Sequence, residues 1–242
     1  MIDWARLTWP EAQAAAARMP VAILPTGAIE AHGPHMTLEA DNRAADALAR
    51  RLAERTGAVL LPLLPYGQVW SLSRFPGSLS ISNETLKALI CDLGRSLAGQ
   101  GFAVLAIVNG HLGNATALKE AARALYGQVP LRVLHLFYPG LHEAATGVLE
   151  RPRSHPAIVH ADELETSLLL DLAPECVQME KAVAEYPEYP PDFDVTPQYW
   201  DGVCRSGVFG DATAATQAKG EHILAAVLER MVALVERAQA EG

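Results

Sequence analysis

The sequence predicts an α/β protein built on a mostly parallel central sheet, and three observations carry that expectation. Apolar runs at residues 21–26, 58–64 and 102–108 read as buried strands, and residues 131–137, with Arg132 and His135 among apolar residues, as another strand. Stretches of helical periodicity separate them, as in Ala45, Leu48, Ala49 and Leu52, or in Leu86, Leu89, Ile90, Leu93 and Leu97. Histidine- and carboxylate-bearing segments fall just after strands, where open α/β sheets bind their ligands.

Taken in order, Thr8 or Trp9 before Pro10 opens a first helix that runs through an alanine-rich stretch to about Arg18. The strand at 21–26 leads through a polar loop into a helix over 42–55, with Arg43, Arg50, Arg51 and Glu54 off its packed side. Gly57 ends that helix, and Pro65 and Gly67 stop the next strand. Residues 68–82 are irregular and aromatic, with Trp70 and Phe75, and loops of such length are often functional. A helix from Asn83 to about Gly99 precedes the strand at 102–108, which ends in Asn109-Gly-His-Leu-Gly-Asn114 and a further helix to about Tyr126. Beyond the strand at 131–137 the chain is polar until His160-Ala-Asp-Glu-Leu-Glu-Thr-Ser167, which heads a buried helix. Residues 186–200, rich in Pro, Tyr and Asp, form a long excursion suited to a pocket wall or a subunit contact. The last helix spans about 214–238, with Ile223, Val227, Met231, Leu234 and Val235 as its stripe. No repeat or linker divides the chain, so residues 1–242 are expected to form one domain.

Composition excludes several classes of function. The net charge is −9 with no basic cluster, so nucleic acid is not an expected partner. No apolar run is long enough for a membrane span, and Met1-Ile-Asp-Trp is no signal peptide, so a cytoplasmic protein without membrane contact is expected. Cys91, Cys176 and Cys204 are widely separated and suggest neither a disulfide framework nor a cysteine zinc site.

The candidate chemistry lies in three segments. In the loop over 25–41, Glu30 and His32 project to the same side of an extended stretch, and Gly33-Pro34 forces a turn that can return Asp41 towards them. Mixed oxygen and nitrogen donors suit zinc, manganese or iron, and a carboxylate between two ions can bridge them. A polar loop with Asp41 merely capping the next helix is the plainer alternative. His111 adds a second strand-end imidazole on the same edge. Glu163 and Glu165 stand at the mouth of a buried helix, where carboxylates cost free energy unless paired or bound to a cation.

Together, Pro25-Thr-Gly-Ala-Ile-Glu-Ala-His-Gly-Pro-His with Asp41, Phe75-Pro-Gly-Ser-Leu-Ser, Asn109-Gly-His-Leu-Gly-Asn, His160-Ala-Asp-Glu-Leu-Glu-Thr-Ser and Gly207-Val-Phe-Gly-Asp resemble the creatininase (creatinine amidohydrolase) family, in the same order along nearly the whole chain. That resemblance implies a three-layer α/β/α fold, a homo-oligomer that is commonly a hexamer, a small-molecule substrate and two divalent ions (Zn2+, Mn2+ or Fe2+) per chain. Glu30, Asp41 and His111 would hold one ion, and His32 with the bridging Asp41 the other. In creatininase a further carboxylate lies two residues after the histidine of Asn-Gly-His. Here that position is Gly113, so Glu165, ahead of Glu163, is the candidate replacement. Arg74 stands where the family often has histidine and suits an anionic group on a substrate. The tryptophans that close over creatinine in creatininase have no counterpart between Leu141 and His160, which argues against creatinine.

The expected reaction is hydrolysis of a C–N amide bond in a small cyclic amide or formamide by a metal-activated water. Glu163 or Glu165 would take the water proton, His160 would donate to the departing nitrogen, and Asn109 and Asn114 would position loop or substrate. A lactone-like or other non-amide bond, or a non-catalytic protein that binds a small ligand, are the alternatives.

Overall fold

Side chains alternate across a strand, so each apolar run feeds two cores, and the helices must cover both faces. A computed structural model, which describes residues 1–241, has this arrangement. Strands β1 (Ile2–Asp3), β2 (Val21–Thr26), β3 (Val59–Leu60), β4 (Val104–Asn109) and β5 (Arg132–Leu136) lie in the order β1-β3-β2-β4-β5, with every pairing parallel. The helices are α1 (Trp9–Arg18), α2 (Ala40–Thr56), α3 (Asn83–Gly99), α4 (Ala115–Leu125), α5 (Leu141–Ala145), α6 (Glu163–Leu172) and α7 (Gln217–Ala240). Val21, Ile23, Leu60, Val104, Ala106 and Val108 pack against α2, α5, α6 and α7. Ala22, Leu24, Val59, Leu105 and Ile107 pack against α1, α3 and α4 on the other side. The outcome is a three-layer α/β/α sandwich whose central strands β2 and β4 are buried throughout.

Register positions the chemistry. β2 and β4 pair over their full length and finish together, with Thr26 opposite Asn109. The loops that follow them therefore leave the sheet side by side, at the carboxyl edge where such folds place ligands.

Three boundaries differ from the sequence reading. The strand expected over 58–64 keeps its ladder only in β3, because Pro62 has no N–H to donate; Leu64 rejoins β2 through a bridge to Thr26. Helix α2 begins at Ala40 with Glu39 as N-cap, which puts Asp41 within its first turn rather than in the capping position. Helix α7 starts at Gln217, where the Thr216 side chain accepts from the Lys219 N–H at 3.3 Å. The 186–200 excursion is fastened to the 68–82 loop by a hydrogen bond from the Trp200 N–H to the Ser71 carbonyl, 2.8 Å. Just outside that excursion, β6 (Ala184–Glu185) pairs antiparallel with β7 (Gly210–Asp211).

Candidate metal centre

After β2, Glu30 and His32 lie on extended chain, and Gly33, with φ +63, turns the backbone so that His32 bridges back to Met36. A side chain at 33 would be strained in this left-handed conformation and would also meet Val208 and the ring of His35. The reversal delivers Asp41 on the first turn of α2. Gly110, after β4, packs directly on the Asp41 backbone carbonyl, which a Cβ at that position would strike. That close approach sets His111 beside Asp41. Ala161 takes a left-handed φ of +50 before α6, a conformation that costs a β-carbon-bearing residue on the order of 1 kcal/mol. From this bend the Ala161 N–H donates to Glu165 Oε2 at 2.5 Å, and Asp162 caps α6 by accepting from the Glu165 N–H at 3.0 Å.

Three imidazoles and three carboxylates converge there, all but Glu165 almost fully buried. His111 Nδ1 is 3.1 Å from Glu30 Oε1 and 3.0 Å from Asp41 Oδ2. His32 Nε2 is 3.2 Å from Asp41 Oδ1, 3.7 Å from Glu30 Oε1 and 3.8 Å from Glu165 Oε2. His160 Nδ1 is 3.7 Å from Glu30 Oε1 and 4.0 Å from Glu165 Oε2.

The opposite nitrogen of each ring is held by a backbone carbonyl. His32 Nδ1 lies 3.2 Å from Glu30 O, His111 Nε2 lies 2.7 Å from Gln68 O, and His160 Nε2 lies 2.9 Å from Ala31 O. A carbonyl oxygen only accepts, so those nitrogens carry the hydrogens. In the neutral rings the remaining nitrogens then turn lone pairs towards carboxylates, an arrangement that needs a positive charge between them.

Without metal, protons answer that need. For His32, burial opposes protonation, but Asp41, Glu165 and Glu30 outweigh it and raise the imidazole to about 10. His111, buried likewise, is held well above the ordinary histidine value by Glu30 and Asp41. Burial works to raise Asp41, yet His32 and His111 together hold it below the usual carboxylate range. Burial pushes Glu165 up to about 8, with His32 opposing and Asp41 adding to the rise. His160 is driven well below the usual value by burial and then by His32, so it stays neutral.

The donor set fits divalent cations. Glu30 Oε2, His32 Nε2 and Asp41 Oδ2 are buried and, despite close neighbours, make no aligned hydrogen bond. Glu30, Asp41 and His111 offer ligand atoms within 4.8 Å of one another; so do His32, Asp41 and Glu165, and also Glu30, His32 and His160. Asp41 is common to the first two sets, and nitrogen with carboxylate oxygen is the mixture that zinc, manganese and iron accept.

Other residues singled out in the sequence are placed elsewhere. Glu163, expected as a base, points away from the cluster: it accepts from the backbone N–H of Glu150 and Arg151 and pairs with Lys219 Nζ at 2.7 Å. Arg74, expected to bind substrate, is more than half exposed, with its guanidinium 3.7 Å over the Tyr199 ring and 3.9 Å from Asp201. Asn109 and Asn114 are buried tethers rather than substrate contacts. Asn114 accepts from the Gln68 N–H at 2.9 Å and donates to Gly27 O and to Asn109 Oδ1, while Asn109 Nδ2 donates to His111 O at 2.6 Å. At Gly113 the space a Cβ would need is taken by the Gln68 carbonyl and the His111 ring. The carboxylate absent from that position therefore has no room in this loop.

A cavity of about 230 Å³ opens over the cluster. Beside the charged groups it is lined by Gln68, Val69, Ser71, Leu72, Leu112, Gly113, Phe137, Val159 and Trp200. Sequence reasoning missed these wall residues, although the irregular 68–82 loop and the 186–200 excursion marked two of the segments that supply them.

Residues 5–235 match the profile of the family described as creatininase, creatinine amidohydrolase. The chain is 32% identical to the creatinine amidohydrolase of Pseudomonas putida, covering 90% of each, and 33% identical to the mycofactocin precursor peptide peptidase of Mycolicibacterium smegmatis, covering 91% of this chain and 86% of that one. A crystal structure of creatinine amidohydrolase (creatininase) superposes with a TM-score of 0.85 at 30% identity, over 98% of this chain and 97% of that one. Similar creatininase structures include a manganese form and a Zn-Zn form.

Proposed function

Because this chain belongs to the creatininase family of hydrolases, we propose that it cleaves a C–N amide bond of a small neutral substrate with two divalent cations bound at the rim of the sheet. The observation that carries this reading is the common posture of His32, His111 and His160, each tied by one nitrogen to a backbone carbonyl and aimed by the other at shared carboxylates. Glu30, Asp41 and His111 are assigned to one cation, and His32, Asp41 and Glu165 to the other. Bound there, the pair would polarise the scissile carbonyl and make a water molecule acidic near neutral pH.

The remaining steps fall to side chains. His160 turns its Nδ1 towards the cluster, 3.7 Å from Glu30 Oε1, and by that placement is the group assigned to accept a proton from the attacking water and pass it to the departing nitrogen. Its Nε2–H bond to Ala31 O holds the ring in the tautomer this requires. Glu165, which lines the cavity, acts as ligand rather than base, and Glu163 takes no part in the proton steps.

Protein purified and reloaded with manganese, zinc or ferrous iron is to be analysed for metal and screened against lactams, formamides and linear amides. About two equivalents per chain and chelator-sensitive hydrolysis are expected. Protein that neither retains metal nor hydrolyses any amide in a metal-dependent way would overturn the proposal.

A further inference from the structure

Size sets the first constraint on what the site admits. At about 230 Å³, the cavity over the cluster is smaller than the roughly 300–1,000 Å³ of typical small-molecule sites, so it holds a compact reacting group and little else. Three of its wall residues, Leu112, Phe137 and Val159, also line a neighbouring groove of about 410 Å³. The groove continues past the end of β5 along Pro139 and Leu141, with Ala157 on its other bank. None of the three shared residues is fully buried, and Leu112 is 39% exposed. They form an apolar sill shared by the two spaces.

Charge sets the second constraint. Apart from Glu30, Asp41, His111, His160 and Glu165, every side chain lining the cavity is uncharged. Arg74, the fixed cation expected here, is stacked on Tyr199 outside. In the groove, His142 and Glu143 lie together on α5, with Arg153 Nη1 3.1 Å from His142 Nδ1 and Glu143 paired with Arg230 at 2.6 Å. No lysine or arginine is among the residues that line either space, so neither lining itself presents a fixed cation to a substrate carboxylate.

We propose that the substrate is an extended, neutral amide whose reacting carbonyl sits over the cluster while an apolar arm crosses the Leu112–Phe137–Val159 sill into the adjoining groove. A compact cyclic amide would leave the groove unused. This rests on the hydrolase reading above, since the amide is taken to be anchored by cations at the cluster.

Hydroxamates chelate such centres, so a series with growing alkyl tails separates the anchor from the arm. Binding of acetohydroxamate and hexanohydroxamate to the manganese-loaded protein is to be measured by calorimetry. Burial of a methylene is worth about fourfold in affinity, so the longer tail is expected to bind on the order of 100-fold more tightly. Ala157→Trp, which fills the groove from an exposed position, and Leu112→Asn, which makes the sill polar, should each bring the ratio between the two ligands close to one. A ratio near one in the unaltered protein overturns the proposal, as does a full ratio retained in both variants, which would place the tail inside the cavity. If acetohydroxamate itself fails to bind the loaded protein, the hydrolase reading fails first and this inference falls with it.

Discussion

Glu163 and Glu165 share the first turn of α6, yet their surroundings are opposite. Glu163 is met on every side by donors of the chain itself: two backbone N–H groups of the 150–151 segment and Lys219 Nζ, which also holds Glu150 Oε1 at 2.8 Å and Ala214 O at 2.7 Å. Glu165 has one backbone donor and otherwise faces, at 3.8–4.0 Å, the ring nitrogens of His32 and His160, which are shared with further carboxylates. Desolvating a charge costs several kcal/mol unless it is paired, so the first group is finished as it stands and the second is not. Burial alone does not mark a functional carboxylate; an unanswered charge does.

Asp41→Ala tests the contrast most severely, since Asp41 belongs to both proposed ligand sets. Metal affinity is expected to fall on the order of 10³-fold, and elemental analysis after gel filtration should find almost none, whereas Glu165→Gln should retain about one equivalent. Unchanged metal content in Asp41→Ala would break the comparison at its open end.

At the closed end, Lys219→Met leaves Glu163 without its cation. A loss of about 3 kcal/mol in unfolding free energy is expected, with metal content preserved. Denaturant titration measures the first and elemental analysis the second; a variant of full stability that loses metal would reverse the roles assigned to the two glutamates.

Chelation links the open cluster to pH. In the metal-free protein the raised His32 contributes stability that is complete below the ordinary histidine value near 6.5 and is lost as pH rises through about 10. Over this window metal binding must displace a proton, so the cation gains hold as the apoprotein loses it. The difference in melting temperature between loaded and chelated protein should widen from pH 6.5 to 9.5. A constant or narrowing gap in differential scanning calorimetry would remove His32 from the cluster's charge balance.

Arg74→Ala is the smallest change. It loses an exposed stack on Tyr199 and a long ion pair to Asp201, so stability should move by less than about 1 kcal/mol and metal content not at all. A large fall in turnover with stability intact would return Arg74 to the substrate side of the cavity.

Much of this architecture is readable in the chain. The runs at β2 and β4 have the unbroken apolar character that burial on two faces demands, and the stripes of α2, α3 and α7 follow helical spacing. Glu30, His32, Asp41 and His111 could be picked out because imidazoles and carboxylates are concentrated just after strands. Gly33 announced its turn. Gly113 read as a missing ligand, because a sequence cannot show that the Gln68 carbonyl occupies the space. For Asn109 and Asn114 the sequence left loop and substrate open as partners, because Gly27 and Gln68, which Asn114 holds, become its neighbours only in the folded chain.

By itself, then, the amino-acid order determined the layers of the fold and the kinds of side chain gathered at its rim, since periodicity and residue type are local properties. Tertiary structure alone decided which of two glutamates, roughly 200° apart around one helix, would meet Lys219 and which would meet His32. The physical reason is that charge compensation is a matter of distance, and groups 56 and 133 residues apart acquire a distance only when the chain has folded.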